Sequence, residues 1–253
     1  VKISIILPTY NERENIIELI RAIDVVIRED NEIIVVDDNS PDGTSQVVEK
    51  FIASDTHGNV RLITRTSNRG LTNSIKEGIE NARGDIVVWM DCDFSMPPEI
   101  IPKLIAEIDL GYDIAVGSRF VKGGSFKKNT SNSQDSWVVV FLSRVLNSTI
   151  RILLGGSFKD YTSGFIAIRR NVFDRVTFSG DYGEYFMDLI FRAQLYNYKI
   201  IEIPYVCLPR ERGESKTGSN MYQYSMRGLK YLRTALKLFR IRVKYKLFRV
   251  IDA

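Results

Sequence analysis

Five short runs rich in Ile and Val, at residues 3–7, 33–36, 60–64, 85–90 and 114–117, punctuate the first half of the chain. Between them lie segments whose apolar residues recur at helical spacing: Ile16, Leu19, Ile20, Ile23 and Ile27 within residues 15–27, and Ile75 and Ile79 within residues 71–82. Residues 44–51 read as a shorter helix, and Pro97 and Pro98 suit the first turn of one that runs to about Leu110. Strand, helix and strand repeated in this way predict an α/β fold, a mostly parallel sheet with helices on both faces. In such sheets ligands bind outside the carboxyl ends of the strands. Those ends carry PTYNE, DDNS, TRTSNRG, DCDFS and GSR, so these polar clusters are expected to line one crevice.

The fourth cluster follows the run Val87, Val88, Trp89, Met90 and brings Asp91 and Asp93 two residues apart. Side chains at that spacing in an extended chain point to the same side, so the two carboxylates share a neighbourhood while Cys92 turns toward the core. Like charges so placed repel and raise a pKa unless a cation intervenes. Mg²⁺ or Mn²⁺ takes carboxylate oxygens together with substrate phosphates. A solvated turn with two exposed acids is the alternative for the pair taken alone. Its position at the carboxyl edge of the sheet favours a functional role.

With 253 residues, 44% hydrophobic and 26% charged, the chain suffices for one large α/β domain or two small ones. A net charge of +4 is too small to argue for a nucleic-acid partner, but it is unevenly placed. Residues 226–253 hold many Lys and Arg and a single acid, Asp252. Cys92 and Cys207 form no CxxC, so neither a zinc site nor a disulfide framework is indicated, and a reducing setting is the default. The one histidine, His57, lies in the polar run SDTHGN, so no mechanism with a histidine base is expected. Neither a Rossmann glycine fingerprint nor a Walker A loop is present, which argues against a nicotinamide enzyme and a P-loop NTPase. No run of about 18 apolar residues suggests a membrane span, and VKISIILPTYNE reads as a strand and polar turn rather than a secretory leader.

The second half is less regular. Residues 121–136 are loop-like, rich in Gly, Ser, Asn and Lys. Residues 138–154 are apolar but interrupted by Arg144, Asn147 and Arg151, which suits a core helix or one lying in a membrane interface. DYTSGFIAIRR reads as a turn and strand, residues 185–196 as a helix, residues 200–204 as a strand, and PRERGESKTGSN as a basic loop. In the tail, Leu229, Leu232, Leu236, Phe239, Val243, Leu247 and Val250 recur at helical spacing beside a basic stripe of Lys230, Arg233, Lys237, Arg240 and Lys244. Such a helix suits an anionic membrane surface; the alternative is packing on the protein's own core or on a partner subunit. Tyr10 and Glu12 lie beyond the first strand, and Asp37 and Asp38 beyond the second. A carboxylate there can accept from a base N–H or a ribose hydroxyl, whereas residues 39–43 are explained by turn chemistry alone.

The blocks SIILPTYNERENI, IIVVDDNSPDGT, GDIVVWMDCD, PPEIIPKLI, VGSRFVKGG, YTSGFIAIRR and RERGESKTG occur in an order that resembles family 2 glycosyltransferases, the dolichyl-phosphate (polyprenyl-phosphate) mannose synthases above all. The resemblance covers roughly residues 2–220, with GSR and RGESK its more specific part. It implies a GT-A catalytic domain over residues 1–225, with residues 226–253 as a basic amphipathic tail. It implies Mg²⁺ or Mn²⁺ held on a sugar nucleotide by Asp91 and Asp93, with Ser95 a further oxygen ligand. Pro8, Tyr10, Glu12 and Asp38, with Asp37 beside them, fall on nucleoside-binding positions. Arg119 falls near the acceptor phosphate, and Arg210, Arg212 and Lys216 fall on a basic loop that grips phosphates. Two departures stand out: Ser95 occupies a position where the family often has Gln, and SWVVVFLSR is apolar where relatives carry a basic residue, so Lys127 or Lys128 is expected to stand in.

The activity so implied is metal-dependent transfer of a hexose, mannose from GDP-mannose, to a dolichyl or polyprenyl monophosphate with inversion. Its setting would be the cytoplasmic face of a membrane, as a peripheral protein, with or without a membrane-anchored partner subunit. A phosphate monoester has a second pKa of about 6 and is already an anion, so no strong base is required. Cations that join two anions are, and Arg119, Arg210, Arg212 and Lys216 would supply them. Asp188 is either an orienting acid or part of a solvated helical face. The rival readings are a polyprenyl-phosphate glucosyltransferase using UDP-glucose, and a non-catalytic member that binds nucleotide sugar or membrane and regulates a partner.

Overall fold

Strand β1 (Ile3–Thr9) sends Ile3, Ile5 and Leu7 into one layer of packed side chains and Ile6 into another. Both faces of the sheet are therefore buried, which is why its strands read as continuous apolar runs rather than alternating ones. The computed structural model describes residues 3–54, 58–127, 137–210, 212 and 221–248; His57, Lys128 and Lys216 lie outside them. The other strands are β2 (Asn31–Asp37), β3 (Val60–Thr64), β4 (Ile86–Trp89), β5 (Ile114–Ser118), β6 (Ser125–Phe126), β7 (Ile166–Arg169), β8 (Ile200–Pro204) and β9 (Val206–Cys207). Seven of them form one sheet in the order β3-β2-β1-β4-β7-β5-β8. Register is fixed by the apolar positions: Ile5 lies opposite Ile33 on β2 and Val88 on β4.

The sheet is mostly parallel, as the alternation of elements predicts. Strand β7 runs antiparallel to both β4 and β5. The chain enters β7 from the carboxyl edge, because Asp160 and Thr162, just before it, are hydrogen-bonded to Arg119, just past the end of β5. Within residues 121–136, expected as loop, β6 pairs in parallel with β9 to make a second, two-stranded sheet. Strands of two residues carry no periodicity by which to be found.

Helices α1 (Ile16–Val26), α2 (Thr44–Ser54) and α4 (Ile101–Asp109) bury their apolar stripes on one face of the sheet. Helices α3 (Leu71–Asn81), α5 (Trp137–Leu154), α6 (Glu184–Leu195) and α7 (Met221–Phe248) cover the other. Pro98 opens a short 3₁₀ turn, Pro98–Ile100, that leads into α4. Helix α7 packs inward through Ala235 and Leu238, and Arg242 Nη1 donates to Leu153 O on α5 at 2.8 Å. Its outer surface divides in two: Leu229, Leu232, Leu236, Phe239, Val243 and Leu247 form an exposed apolar stripe, and Lys230, Arg233, Lys237, Arg240 and Lys244 an exposed basic one beside it. Among the described residues no helix is long and apolar enough to cross a membrane.

Helix α3 approaches β1 closely enough that a Cβ on Gly78 would run into the Ile6 side chain. Replacing Gly78 by alanine should gain about 1 kcal/mol of helix propensity but cost about 1–3 kcal/mol through overpacking of a core with no room to give. A net loss of stability, read as a lower thermal midpoint by calorimetry, is the expected result; a raised midpoint would show that Ile6 relaxes freely.

Candidate active site

The carboxyl ends of β1, β2, β4 and β5 and the segment after β9 converge on one crevice. The loops after β1, β2 and β3 turn through asparagines in the left-handed region, Asn11, Asn39 and Asn68, with φ of 56°, 52° and 50°, a conformation asparagine tolerates. After β4 the same turn is made by Phe94 at φ 61°. A bulky residue there stores of order 1–3 kcal/mol of strain. Two hydrogen bonds hold it: Ser95 N donates to Asp93 Oδ1 at 3.0 Å, and Leu208 N donates to Ser95 O at 2.9 Å. The strained turn thus fixes the Asp93 carboxylate.

Asp91 faces the open crevice, and among the described residues nothing donates a hydrogen bond to its carboxylate. Loss of hydration among the crowded crevice walls, and then the charge of Asp93, push its carboxyl up to about 7, against the pull of Arg210. Its side chain still meets solvent, so that loss is partial, but the direction is clear: this atom sits in an excess of negative charge. Cys92, between the two acids, is buried with its Sγ 3.5 Å from Pro8 O, turned to the core as the alternation requires.

Arg210 joins two strand ends. Its Nη2 donates to Glu12 Oε1 at 3.0 Å and its Nε to Asp93 Oδ2 at 3.2 Å, while Nη1 is buried with no acceptor. Glu12 is buried and also receives Asn15 Nδ2 at 2.9 Å. Asp37 is wholly buried and accepts from Thr9 Oγ1, Ser40 N, Ser40 Oγ and Ser45 Oγ, so it holds the turn after β2. Asp38 is buried too, paired with Arg65 Nη1 at 2.6 Å and capped by Ser74 Oγ and Gly70 N. Pro8 lies near the end of β1, and Tyr10 just past it is exposed, with the Arg69 guanidinium 5.2 Å from its ring centre.

Arg119 is clamped. Its Nε and Nη2 donate to the two oxygens of Asp160 at 2.9 and 2.7 Å, and Nη2 also reaches Thr162 O and Oγ1. Burial disfavours its charge, but Asp160, joined by Tyr205 and Cys207, outweighs that, so its pKa is raised. Glu202 on β8 receives Asp160 N at 3.0 Å, Lys159 N at 2.8 Å and Ser118 Oγ at 2.8 Å, and so fixes the segment that carries Asp160. Arg212 lies apart from Asp91: its Nη1 reaches Glu14 O and Glu18 on the exposed side of α1, at 3.2 and 3.3 Å. Asp188 is not solvated; it is buried, bonded to Arg192 Nε at 2.9 Å and to Ser179 N at 2.8 Å.

Among the described residues no group of three or more His, Cys, Asp or Glu is arranged to hold a metal ion. Two carboxylates suffice for Mg²⁺ or Mn²⁺ when substrate phosphates supply the remaining oxygens. Asp91, open and in excess negative charge, fits that role; Asp93 fits it where Arg210 gives up one oxygen. The oxygen donors are of the type these ions prefer. The residues that sequence reading passed over are Asp160, Arg65 and Glu202. Their one available signal was a charged residue within or beside an apolar strand.

Residues 4–177 match Glycosyl transferase family 2. The chain belongs to this family. The chain is 38% identical over 231 residues to a dolichol-phosphate mannosyltransferase of Pyrococcus furiosus, a match that covers 88% of this chain and 61% of that protein. The chain thus spans under two thirds of that relative's length. It is 35% identical to a polyprenol monophosphomannose synthase of Mycolicibacterium smegmatis, over 86% of this chain and 82% of that one. A third relative, 33% identical, is an undecaprenyl-phosphate 4-deoxy-4-formamido-L-arabinose transferase of an Enterobacter species, covering 85% of this chain and 62% of that one. Its fold is similar to glucosyl-3-phosphoglycerate synthase of Mycobacterium tuberculosis in complex with Mn²⁺, uridine diphosphate and glucosyl-3-phosphoglycerate, at a TM-score of 0.69 and 19% identity, covering 94% of this chain and 79% of that one. The fold is the GT-A arrangement that the sequence blocks imply.

Proposed function

We propose that this glycosyltransferase moves mannose from GDP-mannose to a polyprenyl monophosphate, with inversion, while resting on a membrane surface. The observation that carries this reading is the crevice itself: Asp91, open to solvent, stands beside Asp93 within the fields of Arg210 and Arg119, where two anions must meet. The names of the three similar proteins, each acting on a lipid phosphate or polyprenol, support the acceptor class. A divalent cation held by Asp91 and Asp93 would offset charge growing on the leaving diphosphate.

The chain's own residues do the rest. Tyr10, with Arg69 over its ring, offers a stacking surface for the base. Asp38, buried against Arg65, shapes the nucleoside end, and Glu12, held by Arg210, stands beside it. A phosphate oxygen of the acceptor attacks the anomeric carbon, its bond to the diphosphate breaks, and the nucleoside diphosphate leaves with the electron pair. Attack from the face opposite the leaving group inverts that carbon. No proton needs removal from the nucleophile, so the reaction makes no demand on the single histidine of the chain. Arg119, pinned by Asp160, is preorganised to hold the acceptor phosphate, and a fixed cation costs no reorganisation when the anions meet. Lys216 and the rest of the basic loop would close over the diphosphate. The exposed apolar and basic stripes of α7 would lie on anionic lipid, at roughly 1 kcal/mol per basic residue near the headgroups.

The test is incubation with radiolabelled GDP-mannose or UDP-glucose, a short polyprenyl phosphate, and Mg²⁺, Mn²⁺ or chelator, followed by lipid extraction. Label from GDP-mannose in the lipid phase, lost with chelator, is expected. Label from UDP-glucose alone would move the enzyme to the glucosyl reading, and no label from either donor would overturn both.

A further inference from the structure

Trp89 on β4 donates through Nε1 to the Tyr185 hydroxyl, on the first turn of α6, at 3.0 Å. Alternation along the chain puts Asp91 on the Trp89 face and Cys92 on the other. Burial and then the charge of Asp91 raise the Tyr185 pKa well above its usual value, against the Trp89 bond. The first turn of α6 therefore stands beside the open acid of the crevice. Glu184, which begins that turn, is 5% exposed. Its Oε1 receives Asp181 N at 3.1 Å, whereas its Oε2 is buried and meets no donor among the described residues. A buried acceptor left in that state is costly. A carboxylate only accepts, so the missing partner is an O–H or N–H.

Helix α7 closes the same corner. Tyr231 sets its hydroxyl against the Cα of Gly183, where a Cβ would collide with it. The preceding residue, Lys230, donates through Nζ to Asp181 Oδ2 at 2.7 Å. Burial, then Tyr182 and Glu184, raise the Tyr231 pKa; Arg119 opposes them and Asp91 adds to them. One hydroxyl thus feels Glu184, Asp91 and Arg119 together, so these groups border a common space. What fits beside the two acids is a group that gives hydroxyl protons and carries no negative charge of its own. In a sugar nucleotide that group is the hexose, which is bonded directly to the diphosphate and so must lie next to Asp91.

We infer that Glu184 Oε2 accepts a hydroxyl of the transferred hexose and so helps to select the sugar, with the Tyr231 side chain of α7 as the wall over it. The inference rests on the nucleotide-sugar reading above. Because Oε2 is buried, the sugar reaches it as Tyr231 turns away from Gly183. Helix α7 then shapes the donor site through one face and carries its apolar and basic stripes on the other.

Glu184→Gln tests this, because it keeps an oxygen for the Asp181 N–H and puts an N–H₂ donor where the spare acceptor was. Calorimetry in the presence of Mg²⁺ compares GDP with GDP-mannose on parent and variant. GDP affinity should stay within about twofold, while GDP-mannose affinity falls by about tenfold, the size of a hydrogen bond to a charged group. Analogues of GDP-mannose that each lack one hydroxyl give an arm that needs no variant. One of them should bind the parent about tenfold more weakly, and that deficit should vanish in Glu184→Gln, as coupled partners require. Tyr231→Ala should likewise weaken GDP-mannose and spare GDP; unchanged GDP-mannose affinity there would overturn the part assigned to α7. The whole inference is overturned if Glu184→Gln binds both ligands as the parent does, if both weaken together as a merely structural turn would make them, or if every analogue binds the parent like GDP-mannose. Should the parent take UDP-glucose instead, the same comparison against UDP decides the inference while the mannose reading falls. Should it bind donor through Glu184 yet label no lipid, the inference stands and the acceptor reading falls alone.

Discussion

Sugar transfer should fall by about two to three orders of magnitude when Asp91 is replaced by alanine, the range expected for removing one strong electrostatic contact in a catalytic site. Stability should hold or rise slightly. The Asp91 carboxylate receives no hydrogen bond among the described residues and stands beside Asp93, whose charge helps push its pKa upward. Removing it relieves repulsion and opens no buried void, since the side chain meets solvent. Asp91→Asn separates charge from size and should lose nearly as much activity. The measurements are radiolabel transfer to lipid and a thermal melt on the same preparation. A variant that retains a tenth of parental turnover would show that the donor diphosphate is neutralised elsewhere, with Arg210 and the basic loop as the alternatives.

The second large effect is on stability. Replacing Asp160 by alanine leaves the Arg119 guanidinium, only 13% exposed, without its bidentate partner. It also leaves the Arg119 backbone N–H without its acceptor. Breaking a buried pair from one side costs about 3–5 kcal/mol, which for a chain of this size lowers the thermal midpoint by about 6–20 °C. Adding Arg119→Met should restore much of the midpoint, because the unpaired charge is then gone, but it should not restore transfer. This divergence separates the folding role of the pair from its role in presenting a cation to phosphate. If Asp160→Ala melts with the parent, Thr162 and solvent suffice to hold Arg119, and the clamp described here is weaker than its geometry implies.

Arg144 and Arg151 look like interruptions in an apolar helix until the helix is set beside Arg119 and Lys159, when the interruptions become one wall of a cavity. Asp37 and Asp38 look like a matched pair past the second strand. In the fold both are buried and bonded to protein, Asp37 to its own turn and Asp38 to Arg65. Arg212 reads as a neighbour of Arg210 in the same basic run, yet the two diverge, one into the crevice and one onto α1. Tail and catalytic domain read as separate segments; in space α7 lies on α5 and α6 through one face and leaves its apolar and basic stripes outward.

Local chemistry carried the sequence a long way. Apolar runs separated by helical spacing can be buried on both faces only in a mostly parallel α/β sheet, and that sheet has one edge where ligands bind, so the place of Asp91 and Asp93 followed from pattern alone. The direction of β7, the pairing of β6 with β9, and the partners of the two central arginines did not. Arg119 meets Asp160 across 41 residues and Arg210 meets Asp93 across 117. Periodicity records which side of an element faces the core; which charges meet across such distances is decided by how the elements pack, and only the folded chain contains that information.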